Sequence, residues 1–281
     1  MHLKLLLLFL LSLVAAQPAL AMPAPQRAAL EQQLATMVAG RSGDYGIAAL
    51  DLSNGAIVSI NGDRPFPMAS TVKLAIAAAF LAQVDHGRRS LSDRIGSTTA
   101  DALMARMLIH SDNGATDQLL RNLGGPATVQ TWMAFNGLSG IRIDRTIAQL
   151  LRDRRDLSDI RDSSTPHSML ALLRTVDSGK VLKPASRSYL LSLMARCMTG
   201  RNRIRALLPA STRVEHKTGT LDGLSDDVGF ITLPDGRRIA VAIFARGGTN
   251  RPQTIAQAAR SIYDGFVGVW SNSFTPTFSA P

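Results

Sequence analysis

Several residue types are scarce in this chain, and each scarcity excludes a class of protein. Cys197 is the only cysteine, so no disulfide can form within one molecule, and its apolar neighbours predict a buried thiol without a catalytic role. The five histidines show no spacing typical of a metal site. We therefore expect a protein that binds no metal ion and no other cofactor.

Lysine and arginine outnumber the acidic residues, and the chain carries a formal net charge of +10. The arginines are scattered and are not interleaved with aromatic residues, which make up only 5% of the sequence. That distribution is typical of a solvated surface and argues against a nucleic-acid partner. Attraction to acidic cell-wall polymers is the alternative interpretation.

Long apolar runs are missing except near residue 1. Lys4 precedes an apolar run over Leu5–Ala16, and Ala19-Leu20-Ala21 offers the small residues that a signal peptidase requires. The run is short for a membrane span. We predict that residues 1–21 are a cleaved signal peptide. The remainder is expected to be a periplasmic or secreted monomer without a membrane anchor.

Strand patterns lie near both ends of the chain, at residues 45–52, 56–60, 212–220, 227–233 and 238–244. The simplest assembly is an α+β fold in which both ends build one antiparallel five-stranded sheet, flanked by helices, with an all-α lobe inserted. Within a single domain, 22–281, we place the sheet lobe at about 27–60 and 205–268, the helical lobe at about 61–204, and a polar tail at 269–281.

The middle of the chain has helical patterns separated by breaks. Val72–Val84 is almost entirely apolar, which is typical of a helix at the centre of a domain. The pattern over Thr98–Phe135 is interrupted at Ser111–Gly114. Residues 136–165 lack a clear period and are predicted to form a loop.

The first chemical motif, Ser70-Thr71-Val72-Lys73, lies at the start of the apolar helix. Its spacing places serine and lysine on one face, one turn apart, and the helix N-terminus adds free N–H groups and positive potential. A lysine that is partly desolvated there can lose its proton and act as a base. A capping serine with a solvated lysine is the alternative, and the apolar residues around Lys73 argue against it.

Two further motifs follow: Ser111-Asp112-Asn113 at the helix break, and Lys217-Thr218-Gly219-Thr220 at the end of a strand. Each alone suits an ordinary helix cap or a strand that runs into a turn. In this order, the three motifs resemble those of the class A β-lactamases, within the superfamily of serine β-lactamases and penicillin-binding proteins. The resemblance extends over about residues 28–267 and implies the β-lactamase/DD-peptidase-like fold.

The resemblance also implies a role for each residue that matches the catalytic pattern. It makes Ser70 the nucleophile, Lys73 the group that takes or relays its proton, and Ser111 the proton donor to the leaving nitrogen. The backbone N–H groups of Ser70 and Thr220 would form the oxyanion hole.

Other matching residues are implied in binding or in structure. The implied substrate-binding residues are Asn113, Lys217, Thr218, Gly219 and Arg203, with the cations directed at an anionic substrate. The implied structural residues are Asp112, and Arg145 with Asp162 as the ion pair that closes the family's omega loop.

The sequence departs from the family where the base for deacylation belongs. Class A enzymes carry a Glu-x-x-Leu-Asn pattern there, but Ile147 and Leu151 stand at the glutamate and asparagine positions. The whole sequence has two glutamates, Glu31 and Glu215. Asp153 is the better substitute, although its shorter side chain has to reach the same water.

A second departure is the interval between Ser70 and Ser111, which is about twenty residues shorter than is typical of class A. We therefore expect a more open cleft.

These features predict a serine hydrolase that opens β-lactam rings through a Ser70 acyl-enzyme and is deacylated slowly. One alternative is a D-Ala-D-Ala carboxypeptidase or peptidoglycan amidase, which uses the same motifs without the glutamate. Another is a penicillin-binding sensor that is acylated once. A Ser-His-Asp hydrolase is disfavoured because no G-x-S-x-G motif occurs.

Overall fold

A computed structural model describes residues 22–153 and 156–273 of the chain. The predicted signal peptide, 1–21, and residues 274–281 of the predicted tail, 269–281, lie outside the described residues. Residues 269–273 belong to the last helix and not to an irregular tail. Within the described ranges, no helix combines the length and the hydropathy needed to cross a bilayer.

The strands are β1 (Asp44–Asp51), β2 (Ile57–Ile60), β3 (Phe66–Pro67), β4 (Arg94–Ile95), β5 (Thr98–Thr99), β6 (Ser163–Ser164), β7 (Val214–Leu221), β8 (Leu224–Thr232) and β9 (Arg238–Arg246). The α-helices are α1 (Ala24–Ala39), α2 (Lys73–Asp85), α3 (Ala100–Ile109), α4 (Asn113–Leu123), α5 (Pro126–Phe135), α6 (Ile147–Arg152), α7 (Pro166–Asp177), α8 (Pro184–Ala195) and α9 (Arg251–Ser273). Short 3₁₀ turns cover Ala69–Val72 and Ile204–Leu207.

The longer strands form one antiparallel sheet in the order β2-β1-β9-β8-β7. The first two come from the start of the chain and the last three from its end, and the two parts meet where β1 pairs with β9. This confirms the predicted α+β fold with a five-stranded sheet built from both parts of the chain. The division into lobes at about 61 and 205 stays a prediction.

Each face of the sheet carries its own apolar core because successive side chains of a strand point to opposite faces. On β9, Val241 and Ile243 belong to a cluster with Leu34 of α1 and Ile262 of α9. The alternating residue Phe244 belongs to a larger cluster that includes α2. The sheet is therefore buried between two helical layers.

Helix α2 runs through the middle of the helical layer, as its apolar sequence predicts. Every residue from Lys73 to Ala82 is buried. The helix packs against α3, α4, α5 and α8. A lysine at the head of such a helix is held in the protein interior.

The segment 136–165, predicted to be a loop, contains the short helix α6. Thr146 caps this helix: its Oγ1 accepts from the Gln149 N–H at 3.2 Å, and Gln149 Oε1 accepts from the Thr146 N–H at 2.9 Å. The Thr-x-x-Gln spacing in the sequence is typical of such a capping box. A six-residue helix is too short to show a period, so the loop prediction was incomplete.

Candidate active site

Ser70 lies in the 3₁₀ turn that leads into α2. The preceding residue, Ala69, has a φ of 44°, a left-handed conformation that costs a residue with a side chain about 1–2 kcal/mol. Hydrogen bonds hold the turn at Met68, whose N–H donates to Asp162 O at 2.9 Å and whose carbonyl accepts from Thr71 Oγ1 at 2.8 Å. The serine is therefore presented by a strained but anchored turn.

Strand β7 passes close to this turn at Gly219. A Cβ added there would lie 2.6 Å from Met68 O and 3.2 Å from the Ala69 Cβ, so only glycine permits the approach. Because Thr220 follows directly, its backbone enters the region beside the serine turn. An oxyanion hole shared between Ser70 and Thr220 needs this placement.

Lys73 is fully buried and its Nζ has three acceptors. The Ser111 carbonyl lies at 2.7 Å, Asn113 Oδ1 at 2.8 Å and Ser111 Oγ at 3.1 Å. Burial, followed by the nearby charge of Lys217, lowers the pKa of Lys73 to about 7. A large fraction is therefore the uncharged amine at neutral pH, and that form can accept a proton.

Lys217 is also fully buried. Its Nζ donates to Thr218 O at 2.8 Å and to Ser111 Oγ at 2.9 Å. Burial lowers the pKa of Lys217 to about 8. Lys217 is thus mostly cationic at pH 7, which suits the binding of a carboxylate.

The Ser111 hydroxyl consequently lies between the two lysines. An ammonium group only donates, so the oxygen accepts from both when both are charged, and its own proton remains available for donation. The residue has a φ of 58°, which turns the chain sharply between α3 and α4. This geometry suits a hydroxyl that passes a proton from one side of the cleft to the other.

The two residues after Ser111 have different settings. Asp112 caps α4, with Oδ1 accepting from the Ala115 N–H at 2.7 Å, and Oδ2 pairs with Arg106 at 2.7 Å. The Ala115 bond, then Arg106, hold the pKa of Asp112 below its usual range. Asn113 is exposed, and because its Oδ1 accepts from Lys73, its amino group can donate to a ligand.

Arg203 is buried against β7 and β8, with 6% of its surface exposed. Its Nη1 donates to the carbonyls of Gly219 and Asp226, both at 2.8 Å, and its Nη2 donates to Thr220 Oγ1 at 2.6 Å. Direct binding of a substrate carboxylate by Arg203 stays a prediction. The bonds described direct its guanidinium at the backbone of both strands and at Thr220 Oγ1.

Thr199 is a site residue that the sequence analysis missed. The Thr199 Oγ1 lies 2.6 Å from Thr218 Oγ1. The Cys197 Sγ lies 3.3 Å from Thr199 Oγ1. Thr199 follows α8 in an irregular segment, where no motif or period draws attention to it. Only the packing of that segment on β7 brings the two threonines together.

The predicted Arg145–Asp162 pair has an Nε–Oδ2 distance of 2.6 Å at the neck of the segment 144–162. Arg145 also reaches Asp153 Oδ2 at 2.7 Å and Asp159 Oδ2 at 3.3 Å. Arg161 adds a contact of 2.8 Å to Asp159. One partly buried guanidinium therefore binds three carboxylates and closes the loop on itself.

The two other acids considered as bases are engaged elsewhere. Asp153 is held in the Arg145 cluster. Glu215 is buried between Arg213, at 2.7 Å, and Arg238, at 2.9 Å. Each carboxylate thus already has cationic partners, which weakens its case as a base for water.

Ile147 lies at the N-terminus of α6 with 6% of its surface exposed, and its side chain belongs to the larger apolar core. Its N–H donates to Asp117 Oδ1 at 2.8 Å, and the N–H of Ala148 donates to Asp117 Oδ2 at 2.9 Å. Asp117 is buried within the amphipathic helix α4. The sequence analysis did not identify it, because it belongs to none of the three motifs.

Among residues 22–153 and 156–273, no cluster of three or more His, Cys, Asp or Glu side chains is placed to bind a metal ion. The groups that could react in the cleft are Ser70, Ser111 and the two lysines. A serine at a helix N-terminus, a buried amine and a bridging hydroxyl define an active-site-serine hydrolase.

Comparison with known proteins agrees with that class. The beta-lactamase enzyme family matches residues 29–266. β-Lactamase CTX-M-8 of Citrobacter amalonaticus is 31% identical over 84% of this chain and 89% of its own length, and the carbapenem-hydrolyzing β-lactamase KPC of Klebsiella oxytoca is 31% identical over 79% and 84%. An ancestral class A β-lactamase structure superposes with a TM-score of 0.80 at 34% identity, covering 84% of this chain and all of that one.

The chain therefore belongs to the beta-lactamase enzyme family, in its class A serine branch. The resemblance drawn from the three motifs is confirmed at the level of family and fold.

Replacing Arg145 by alanine should loosen the segment 144–162, because three carboxylates lose their shared cation. We expect the free energy of unfolding to fall by about 1–3 kcal/mol. Trypsin should cut this segment faster, as followed by mass spectrometry.

Arg142→Ala is the matched control, because it removes only a solvent-exposed pair with Asp144, and such pairs contribute little to stability. Equal protease resistance of both variants and the parent protein would contradict the proposed closure.

Proposed function

We propose that this chain opens β-lactam rings by forming an acyl-enzyme on Ser70 and that it releases this acyl group slowly. The single observation that carries the proposal is the Ser111 hydroxyl held between Lys73 and Lys217 at the serine turn. It supports acylation, and the buried Ile147 in the place of the expected base supports slow release.

Acylation uses groups that the cleft holds ready. The uncharged amine of Lys73 takes the Ser70 proton, directly or by relay, as Ser70 Oγ bonds to the ring carbonyl carbon. The N–H groups of Ser70 and Thr220 stabilise the oxyanion, and each such donor is worth several kcal/mol. When the ring C–N bond breaks, Ser111 gives its proton to the nitrogen and regains one from Lys73.

Substrate binding uses the neighbouring polar groups. Lys217 and Thr218 hold the carboxylate of the anionic substrate. Gly219 lets strand β7, which carries both residues, lie close to the Ser70 turn. Asn113 donates to the side-chain amide. Arg203 and Thr199 hold the hydroxyls of Thr220 and Thr218 in place.

Deacylation needs a base that removes a proton from water. Ile147 has no such group, and Asp153 and Glu215 are bound to arginines. Loss of a general base lowers the rate of the step that it catalyses by a factor on the order of 10²–10⁴. We infer that the acyl-enzyme accumulates.

A second candidate is a D-Ala-D-Ala carboxypeptidase, which the same observation favours, since that chemistry does not require the missing glutamate. Release of D-Ala from a cell-wall pentapeptide would distinguish it. The N-terminal pattern leads us to infer export to the periplasm or beyond, where either substrate is met.

The direct test mixes the protein with a chromogenic cephalosporin and follows absorbance and intact mass. We expect a burst of about one equivalent, an adduct on Ser70, and slow turnover afterwards. Ser70→Gly should abolish both burst and adduct. Rapid steady-state hydrolysis with no adduct on Ser70 would refute slow release.

The rate of acylation at low substrate concentration should be bell-shaped in pH. It should rise through about pH 7 as Lys73 loses its proton, and fall through about pH 8 as Lys217 loses the charge that binds the substrate. Lys217→Arg keeps its charge in this range, so this variant should lose the alkaline limb only. A profile without an acidic limb near pH 7 would exclude Lys73 as the base.

Ile147→Glu should speed deacylation, because it places a carboxylate at the position that the family uses. We expect a gain on the order of 10-fold or more in the decay of the Ser70 adduct. Ile147→Gln has the same size and hydrogen-bonding reach but no basic group, and it should show no gain. Equal rates for both variants would argue that position 147 does not face the acyl group.

A further inference from the structure

Asp117 is a buried carboxylate that the reaction scheme above leaves unused. It is 5% exposed, and it follows Asn113 by four residues on α4, so the two side chains share one face of the helix. Asn113 contacts the Lys73 amine. Asp117 contacts the first two amides of α6. One face of α4 therefore connects the catalytic lysine with the helix that carries Ile147.

The bonds to Asp117 come from uncharged donors. Both of its oxygens accept from backbone N–H groups, at 2.8 and 2.9 Å. In the described part of the chain, no basic side chain forms an ion pair with it. A buried carboxylate held only by neutral donors keeps a field that extends to charges farther away.

The charged groups that face Lys73 come from two elements besides its own helix. Lys217 on β7 opposes its positive charge, while Asp112 and Asp117 on α4 favour that charge. Asp112 is partly neutralised, since its Oδ2 pairs with Arg106 of α3 at 2.7 Å. Asp117 is the one of the two acids with no such partner among the described residues.

We propose that Asp117 is a positioning residue that supplies to the Lys73 ammonium, from helix α4, the counter-charge that Ile147 cannot supply. The proposal rests on the proposed function, because Lys73 is the base only in that scheme. Asp117 balances the second cation of the site, Lys217, and keeps Lys73 close to the proton affinity that acylation at neutral pH requires. It does so without touching the substrate.

Asp117 also holds the N-terminus of α6, so a loss of activity alone would not distinguish an electrostatic role from a structural one. A structural role lowers the rate at all pH values or lowers the melting temperature. The electrostatic role moves the pH at which Lys73 titrates. Removing a negative charge lowers the pKa of a nearby amine, so the expected direction is downward.

The primary experiment titrates Lys73 without any substrate. The sequence has five lysines, so ¹³C labelling of the lysine ε-carbons gives a spectrum of few signals, and Lys73→Arg assigns the relevant one. In Asp117→Asn we expect the Lys73 midpoint to fall by roughly half a pH unit or more. An unchanged midpoint in a folded variant would overturn the proposal.

Gln149→Ala is the matched control, because it removes the capping box of α6 and leaves every charge of the site in place. It should loosen the loop without moving the Lys73 midpoint. An equal shift in this control would show that loop position, not charge, sets the midpoint. If Asp117→Asn fails to fold, Asp117→Ser offers a smaller neutral acceptor and carries the same expectation.

A rescue variant tests whether the charge can be moved. In Ile147→Glu/Asp117→Asn, the carboxylate returns on α6 instead of α4, and the Lys73 midpoint should return toward that of the parent protein. A midpoint that stays at the Asp117→Asn value would count against the exchange.

The two proposals fail separately. Absence of a Ser70 adduct in the parent protein would refute the proposed function, whatever the titration shows. An adduct in the parent protein, combined with a Lys73 midpoint that ignores Asp117, would refute the inference alone.

Discussion

The site depends on one interaction, the Ser111 hydroxyl shared between two buried amines, Lys73 and Lys217. Burying one charge is costly, and burying two of the same sign near each other is more so. The protein offsets this cost with a backbone carbonyl acceptor at each amine and with the Asn113 amide oxygen at Lys73. Burial lowers the pKa of Lys73 to about 7 and that of Lys217 to about 8, so that near neutral pH the first amine can act as a base and the second as a cation.

This arrangement requires three elements that are far apart in the chain to meet. Helix α2 brings Lys73, the left-handed turn before α4 brings Ser111, and strand β7 brings Lys217. Gly219 lets β7 approach the Ser70 turn closely, and Arg203 ties β7 to β8 at the same level. The antiparallel sheet and the central helix thus serve as the frame that fixes distances of about 3 Å between the groups.

In the segment 144–162, the residue that closes the loop is not the residue that provides a carboxylate near position 147. Its closure by Arg145 is elaborate, with three carboxylates on one guanidinium. The segment supplies no carboxylate at position 147, where Ile147 is part of the apolar core. The carboxylate nearest to this position belongs to Asp117, on another helix, and it is oriented by the backbone of the loop it supports. Closure and charge are therefore supplied by different residues.

The sequence by itself determined the class of fold and predicted the reacting groups, because hydrophobic period and short motifs are local properties. The patterns of 45–60 and 212–244 predicted the sheet, and the three motifs predicted Ser70, Lys73, Ser111 and Lys217. Helix α6 was not predicted, because six residues are too few to show a helical period. Asp117, Thr199 and the orientation of Arg203 were decided only by tertiary structure, since each depends on a contact between segments that no spacing records. The same holds for the pKa values of the two lysines, which arise from burial and from the distance between charges on different elements.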